Sequence, residues 1–213
     1  MDFEDFGLRV SKIKNLPLPG SASHNKMVPL IRLKQLEAGR TLKKNPRKAG
    51  VLALFYPNGQ SMTNLLLILR KTYEGVHSNQ IGFPGGKQEK EDLDIMHTAL
   101  RETHEEVGVP PERVSIVRPL SEIYIPASNF EVKPFMGLME SPVPFVPQKS
   151  EVERLIEVSL ADFMDDSNVS TQHLSTSYVE NMEVPAFKLN GYTVWGATAM
   201  MLNEIKELLK QVL

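Results

Sequence analysis

Glu102, Glu105 and Glu106 stand three and four residues apart in the segment ALRETHEEVGV, a spacing that turns carboxylates into neighbours if the segment is helical. They would then share one face, with Thr98 one turn before them, while Ile95, Met96, Ala99, Leu100, Thr103 and Val107 fall on the other side and pack against a core. The like-charge pairs Glu102/Glu105 and Glu102/Glu106 each destabilise an isolated helix by roughly 0.2–0.5 kcal/mol, and locally only the Arg101/Glu105 spacing offsets this. A bound hard cation reverses the sign of that cost. A solvated acidic face is the alternative for the helix taken alone, and the residues around it decide between the two.

Several neighbours suit a site. Gly85 and Gly86 permit positive φ and close approach of backbone to a ligand, and a turn opening onto a helix N-terminus faces anions. Asp92 or Asp94 suits the N-cap of a helix predicted over 92–107. The planar fork of Arg101 can hold a neighbouring carboxylate in register, which shapes a ligand set from behind. Periodicity and breakers predict strands at 50–56, 63–70, 113–118, 121–125 and 131–140, with later ones near 153–157, 183–188 and 192–195. A second long helix is predicted over 196–211, where Trp195 opens a core stripe of Ala197, Met200, Met201, Ile205, Leu208 and Val212. Strands between two such helices make a layered α/β/α arrangement. The stretch NLPLPGSASHNKMVP interrupts the N-terminal segment before a helix at about 27–39. We therefore expect an N-terminal extension over 1–48, outside the catalytic core, and a catalytic domain over 49–213.

The string GFPGGKQEKEDLDIMHTALRETHEEVGV at 82–109 resembles the Nudix box, the signature of Nudix hydrolases: a glycine, a spaced acid, then Arg-Glu-aliphatic-x-Glu-Glu-x-Gly. Gly86 takes the place of the glycine and Asp92 that of the acid. Arg101, Glu102, Thr103, Glu105, Glu106 and Gly108 form the closing run. The spaced acid is Asp rather than Glu, with one extra residue before Arg101, and Thr103 replaces an aliphatic residue. The resemblance implies an α/β/α sandwich with a mixed β-sheet. It also implies hydrolysis of a phosphoanhydride joining a nucleoside diphosphate to another group, with Mg2+ or Mn2+ bridging protein and substrate. By the same resemblance Glu105 and Glu106 are metal ligands with Gly86 beside them, and Glu102 is either a third ligand or the base that orients water. Arg101 completes the catalytic group.

Upstream, LLLILRKTYEGVHSNQIGFPGG resembles the extra motif of the coenzyme A pyrophosphatase branch of that family. Ile68 or Leu69, Arg70, His77, Gln80, Phe83, Pro84, Gly85 and Gly86 stand where the branch has similar residues, whereas Lys71, Gly75 and Asn79 depart from it. The segments at 121–137 and 184–205 also look like the branch. The implied substrate is coenzyme A or a derivative, cleaved into phosphopantetheine and adenosine bisphosphate. Arg70, His77, Gln80, Gly85, Gly86, Lys87, Ser128 and Asn129 are its expected contacts. Lys87 is favoured for the extra ribose phosphate over Lys71 and the basic cluster Arg40, Lys43, Lys44, Arg47 and Lys48. ADP-ribose, a dinucleotide or a nucleoside polyphosphate is the rival substrate class. A non-catalytic nucleotide-binding module is the rival function, and the presence of all three carboxylates speaks against it.

Composition agrees with such an enzyme. The chain of 213 residues is most simply one domain, and 41% hydrophobic content supports a sizeable core. A formal net charge of -2 argues against a nucleic-acid polymer as partner. The absence of cysteine excludes a thiol nucleophile, disulfides and thiolate zinc ligands. With no apolar run near the ~20 residues needed to span a bilayer and an acidic start lacking a signal-peptide core, a cytoplasmic protein without a membrane partner is expected. Dimers are common in the family, and a homodimer is left open.

Overall fold

A computed structural model describes residues 1–29, 45–71, 80–174 and 182–213. Its organising feature is a forked hairpin. Strands β1 (Arg47–Pro57) and β2 (Thr63–Arg70) pair antiparallel at their joined ends, Phe55–Pro57 against Thr63–Leu65. Farther along they part, and the segment that follows fills the gap. There β3 (Ile81–Gly82) pairs with Ile68 and Leu69 of β2, and β4 (Gly85–Lys87) pairs with Ala49–Val51 of β1. Between them the Leu52 N–H donates to the Pro84 carbonyl at 2.9 Å. The other edge of β1 runs parallel to β7 (Phe130–Leu138), from Arg47 opposite Phe130 to Phe55 opposite Leu138. Two antiparallel strands, β5 (Ser115–Pro119) and β6 (Ile123–Ile125), share the far edge of β7, and β8 (Val152–Ser159) covers the free edge of β2. The result is a mixed eight-stranded sheet.

Both faces of this sheet are covered, which explains the unbroken apolar run of β1. Leu52, Leu54, Tyr56, Leu66 and Ile68 pack with Ala99 and Val107 of helix α3 (Ile95–Val107). The alternate set, Ala49, Val51, Ala53, Phe55, Leu65 and Leu67, faces the opposite layer. That layer holds α1 (Phe3–Val10) and α5 (Gly196–Leu209), with α2 (Ser21–His24) and α4 (Leu160–Met164) as short turns. Each Leu or Phe fully buried this way contributes about 1.5–3 kcal/mol. The α/β/α sandwich read from the sequence is thus present.

The structure differs from or adds to the expected elements at three points. Of the later strands, the one near 153–157 is β8 of the main sheet, whereas β10 (Met182–Leu189) and β11 (Tyr192–Val194) form a separate three-stranded sheet with β9 (Val169–Leu174). Strand β9 was not predicted, because VSTQHL is polar and only half-buried. The N-terminal stretch, expected to lie outside the catalytic core, packs against it and buries Phe3, Phe6, Val10 and Ile13 in the same cluster as β1 and α5. Arg118 ties it down by donating to the carbonyls of Ile13 and Leu16, each at 2.7 Å. Finally, α3 begins at Ile95 rather than 92. The helix expected at 27–39 lies outside the described residues beyond Pro29, and Met27 ends a 3-10 turn that starts at Asn25.

Candidate active site

The fork delivers Gly85 and Gly86 to the underside of α3. Helix α3 can lie this close because Gly50 of β1 has no side chain: a Cβ there would overlap the Ile95 carbonyl. Gly85 has φ +143°, and a Cβ on it would strike the Gly50 carbonyl. At Gly86 the space a Cβ would need is filled by the carboxyl group of Glu102. Asp94 caps the helix, its Oδ1 accepting the His97 N–H at 2.8 Å.

The three carboxylates are not equivalent, contrary to the single solvent-side face expected from spacing. Glu106 is buried at 1% exposure and Thr98 at 0%, both turned inward with the core side of α3. Glu102 is partly buried, and Glu105 is exposed. Glu106 is enclosed by Gly85 of β4, Arg70 of β2 and the chain at Gln148.

Glu106 Oε2 accepts the Gly85 N–H at 2.8 Å. Its Oε1 lies 3.1 Å from Arg70 Nη1, close enough for an ion pair but lacking the orientation of a hydrogen bond. Arg70 Nη2 donates instead to the Gly85 carbonyl at 2.7 Å. Burial pushes the Glu106 carboxyl up to about 7, against the opposing pull of Arg70 and the Gly85 N–H. Burial also raises Glu102, with Arg101 opposing.

Arg101 is the hub of the exposed side. Its Nε and Nη2 grip Asp92 at 2.9 and 3.1 Å, Nη1 reaches Glu105 at 2.9 Å, and Nη2 also meets Glu102 at 3.1 Å and the Lys87 carbonyl at 3.2 Å. Asp92 further accepts the Thr98 hydroxyl and the Glu89 N–H, each at 2.9 Å. The Arg101 bond above all holds its carboxyl well below the usual range. Asp92 is therefore the anchor of Arg101 and Asp94 the cap.

One acid escaped the sequence reading. The loop before β8 crosses the C-terminal end of α3, where Val146 N–H donates to the Val107 carbonyl and Gln148 N–H to the Glu106 carbonyl, both at 2.9 Å. It ends at Glu151, whose carbonyl is fixed by the Lys71 N–H at 2.8 Å. The Glu151 charge adds, after burial and the nearer groups, to the upward push on both Glu102 and Glu106. No spacing rule links it to α3, because the neighbourhood is made by the loop.

The other expected contacts are scattered. Gln80 lies next to the fork, its carbonyl accepting the Arg70 N–H at 3.0 Å. Lys87 is exposed at the end of β4. Ser128 and Asn129 lie in the β6–β7 turn, where Asn129 has φ +52° and accepts the Tyr124 hydroxyl at 3.0 Å. Arg47 stacks on Phe130 and donates to the Ser128 carbonyl. This turn borders the start of β1, three residues from Gly50, the partner of Gly86. His77, Arg40, Lys43 and Lys44 lie outside the described residues.

Among the described residues no three acidic or histidine side chains converge as a ready cation cage. The donors nevertheless fit a hard divalent ion. All are oxygens, Glu106 Oε1 is buried without a hydrogen bond, and Mg2+ is usually held by one or two carboxylates plus substrate phosphates. Also among the described residues, no helix is long and apolar enough to cross a membrane.

Comparison with known proteins agrees with this geometry. The NUDIX domain profile matches residues 44–170. A protein of Pectobacterium atrosepticum described as an uncharacterized Nudix hydrolase NudL is 33% identical, over 66% of this chain and 72% of its own length. A Yersinia pestis protein of the same description is 29% identical, over 67% of this chain and 71% of its own. Among solved structures, a Nudix hydrolase from M. smegmatis, RenU, shares the fold at a TM-score of 0.53 and 16% identity, covering 79% of this chain and 88% of that one. A MutT/nudix family protein from Enterococcus faecalis does so at 0.51 and 17%, covering 89% and 71%. A fork that carries a glycine turn beneath an Arg-Glu-x-x-Glu-Glu helix, matched by profile, relatives and fold alike, makes this chain a member of the Nudix hydrolase family, enzymes that cleave phosphoanhydride bonds.

Proposed function

We propose that this protein hydrolyses the pyrophosphate bond of coenzyme A or an acyl derivative, releasing phosphopantetheine or its acyl form and adenosine bisphosphate. The observation that carries the reading is the meeting of Arg70, from the upstream motif, with Glu106, from the acidic helix, through both sides of the Gly85 peptide. This contact supports a substrate role for the upstream motif, whose residue Arg70 reaches the acidic helix.

Glu105, Glu106 and Glu102, with Gly86 beside them, would hold Mg2+ or Mn2+. The ion would supply charge neutralisation at the phosphoryl oxygens and a bound water acidic enough to ionise near neutral pH. Arg70 presses Glu106 into place, and Arg101 keeps Glu102 and Glu105 apart from one another by offering each a separate nitrogen. Glu102 would serve either as a third ligand or as the base that orients water. Gln80, His77, Lys87, Ser128 and Asn129 complete the proposed substrate contacts, with Lys87 meeting the ribose phosphate as a point charge.

Incubation with coenzyme A and Mg2+ or Mn2+, followed by product analysis, tests reaction and substrate together. Phosphopantetheine and adenosine bisphosphate are the expected products. Markedly faster turnover of ADP-ribose, a dinucleotide or a nucleoside polyphosphate would overturn the substrate and keep the reaction class. Charge reversal at Lys87 should weaken coenzyme A far more than dephospho-coenzyme A.

A further inference from the structure

On the α5 side of the fork lies a second feature, a cavity of about 180 Å³ lined by Leu69, Gln80, Ile81, Tyr192, Thr193 and Trp195. Its walls come from three elements held together by defined bonds. Leu69 and Ile81 are register partners on β2 and β3. Tyr192 and Thr193 belong to β11, set by the β10–β11 hairpin whose Asn190–Gly191 turn has φ +49° and +80°, the conformation of a tight two-residue hairpin. Trp195 immediately precedes α5, and the Thr198 hydroxyl of that helix donates to the Ile81 carbonyl at 2.9 Å, fixing the helix start against β3.

We propose that this cavity binds the adenine ring of the substrate, stacked against Trp195 and Tyr192. The inference rests on the reading of the protein as a hydrolase of an adenine nucleotide conjugate and assigns one half of that substrate a place. Two aromatic side chains among six lining residues suit a flat π system better than the amide chain of pantetheine, and the Thr193 side chain lies on the same wall to meet the edge of a purine. Position supports the same occupant. Each of the two lining strand residues is followed by one that leads to the acids: Leu69 by Arg70, which holds Glu106, and Ile81 by Gly82. A Cβ at Gly82 would sit 3.8 Å from the Thr198 hydroxyl and 3.9 Å from Arg70 Nε, so this position lies between the start of α5 and the guanidinium. Gly82 thus adjoins both the cavity wall and Arg70, and a base at Trp195 would leave its diphosphate on the Gly82 side, next to that guanidinium.

The chain contains a single tryptophan, so the unmodified protein reports on its own cavity. In metal-free buffer, adenosine bisphosphate should quench the tryptophan emission saturably, whereas phosphopantetheine and inorganic pyrophosphate should not. Trp195→Ala should raise KM for the nucleotide substrate roughly tenfold or more, the range expected for one lost base stack. Its kcat should change only a few-fold, because the lost contact is uniform binding. Trp195→Phe should restore most of the affinity. Should Trp195→Ala fail to fold, Tyr192→Ala carries the same KM test. Equal quenching by pyrophosphate, no quenching by adenosine bisphosphate, or an unchanged KM would overturn the proposal. Adenosine bisphosphate bound at Trp195 in a protein that hydrolyses no adenine nucleotide would overturn the reaction and leave the cavity assignment standing. Hydrolysis of coenzyme A with no fluorescence response and no KM effect would do the reverse.

Discussion

Glu106 and Glu204 are both sealed from solvent, at 1% and 0% exposure, yet their surroundings push the two carboxyl groups in opposite directions. Burial alone raises a carboxyl pKa, and at Glu106 it wins: one N–H and one poorly directed guanidinium do not replace the lost water. At Glu204 the same burial is overcome by donors from two other segments. His24 Nε2 lies at 3.1 Å, the Ser121 hydroxyl at 2.5 Å, and the N–H groups of Gly20 and Ser121 at 3.2 Å each, and together they hold the carboxyl below its ordinary range. A buried acid with a full set of donors works as a pin, here joining the N-terminal segment, the chain before β6 and α5. A buried acid left short of donors is an energetic liability, kept where a further positive partner is due.

The contrast can be broken from either side. The largest effect is expected from Glu106→Gln, which should lower kcat at least about a hundredfold, the scale of removing one charge-stabilising group from an active site. The metal-free variant should be no less stable than the parent at pH 8. Loss of stability comparable to that of a core deletion, seen in denaturant melts, would show Glu106 to be a pin as well. Glu204→Ala should do the opposite, costing on the order of 3 kcal/mol of stability because it strips partners from a buried network. Its kcat per folded molecule should stay within about twofold.

Stability against pH sharpens the comparison through its signs. The folded pKa of Glu204 is lowered, so its contribution is present above the unfolded value near 4.5 and is lost as pH falls through the folded value. The folded pKa of Glu106 is raised to about 7, so its unfavourable burial grows as pH rises from about 4.5 to 7. Thermal melts of metal-free protein should show the acid limb flattened by Glu204→Gln and the neutral limb flattened by Glu106→Gln. The smallest effect is expected at Arg101→Lys, where one ammonium cannot reproduce the two-nitrogen grip on Asp92. About 1 kcal/mol of stability and roughly a tenfold loss of rate should follow, read from melts and initial rates.

Much of the frame was legible in the residues. The apolar run of β1 announces a strand covered on both faces, and Thr63–Arg70 reads as a strand to its observed ends. The spacing of Glu102 and Glu106 announces neighbours on a helix. Their depth was not legible, since helical phase says which residues share a face and not how far other segments enclose it. Asp92 and Asp94 looked alike as caps until the position of Arg101 separated them. The Glu204 pin joins residues from three distant stretches, and no local pattern connects His24, Ser121 and Glu204. Glu151 is hidden for the same reason.

The forked hairpin carries a consequence for the order in which the molecule comes into being. Helix α3 needs only local bonds and can form early, acids included. The fork closes only when Ala49–Val51 of β1 pairs with Gly85–Lys87 of β4, stretches far apart in the chain, and such contacts come late because loop closure precedes their reward. Until then Gly85 has no fixed N–H to offer Glu106. The capacity to cut is therefore among the last properties the folding chain acquires, and a partly folded copy carries the acidic helix without the enzyme.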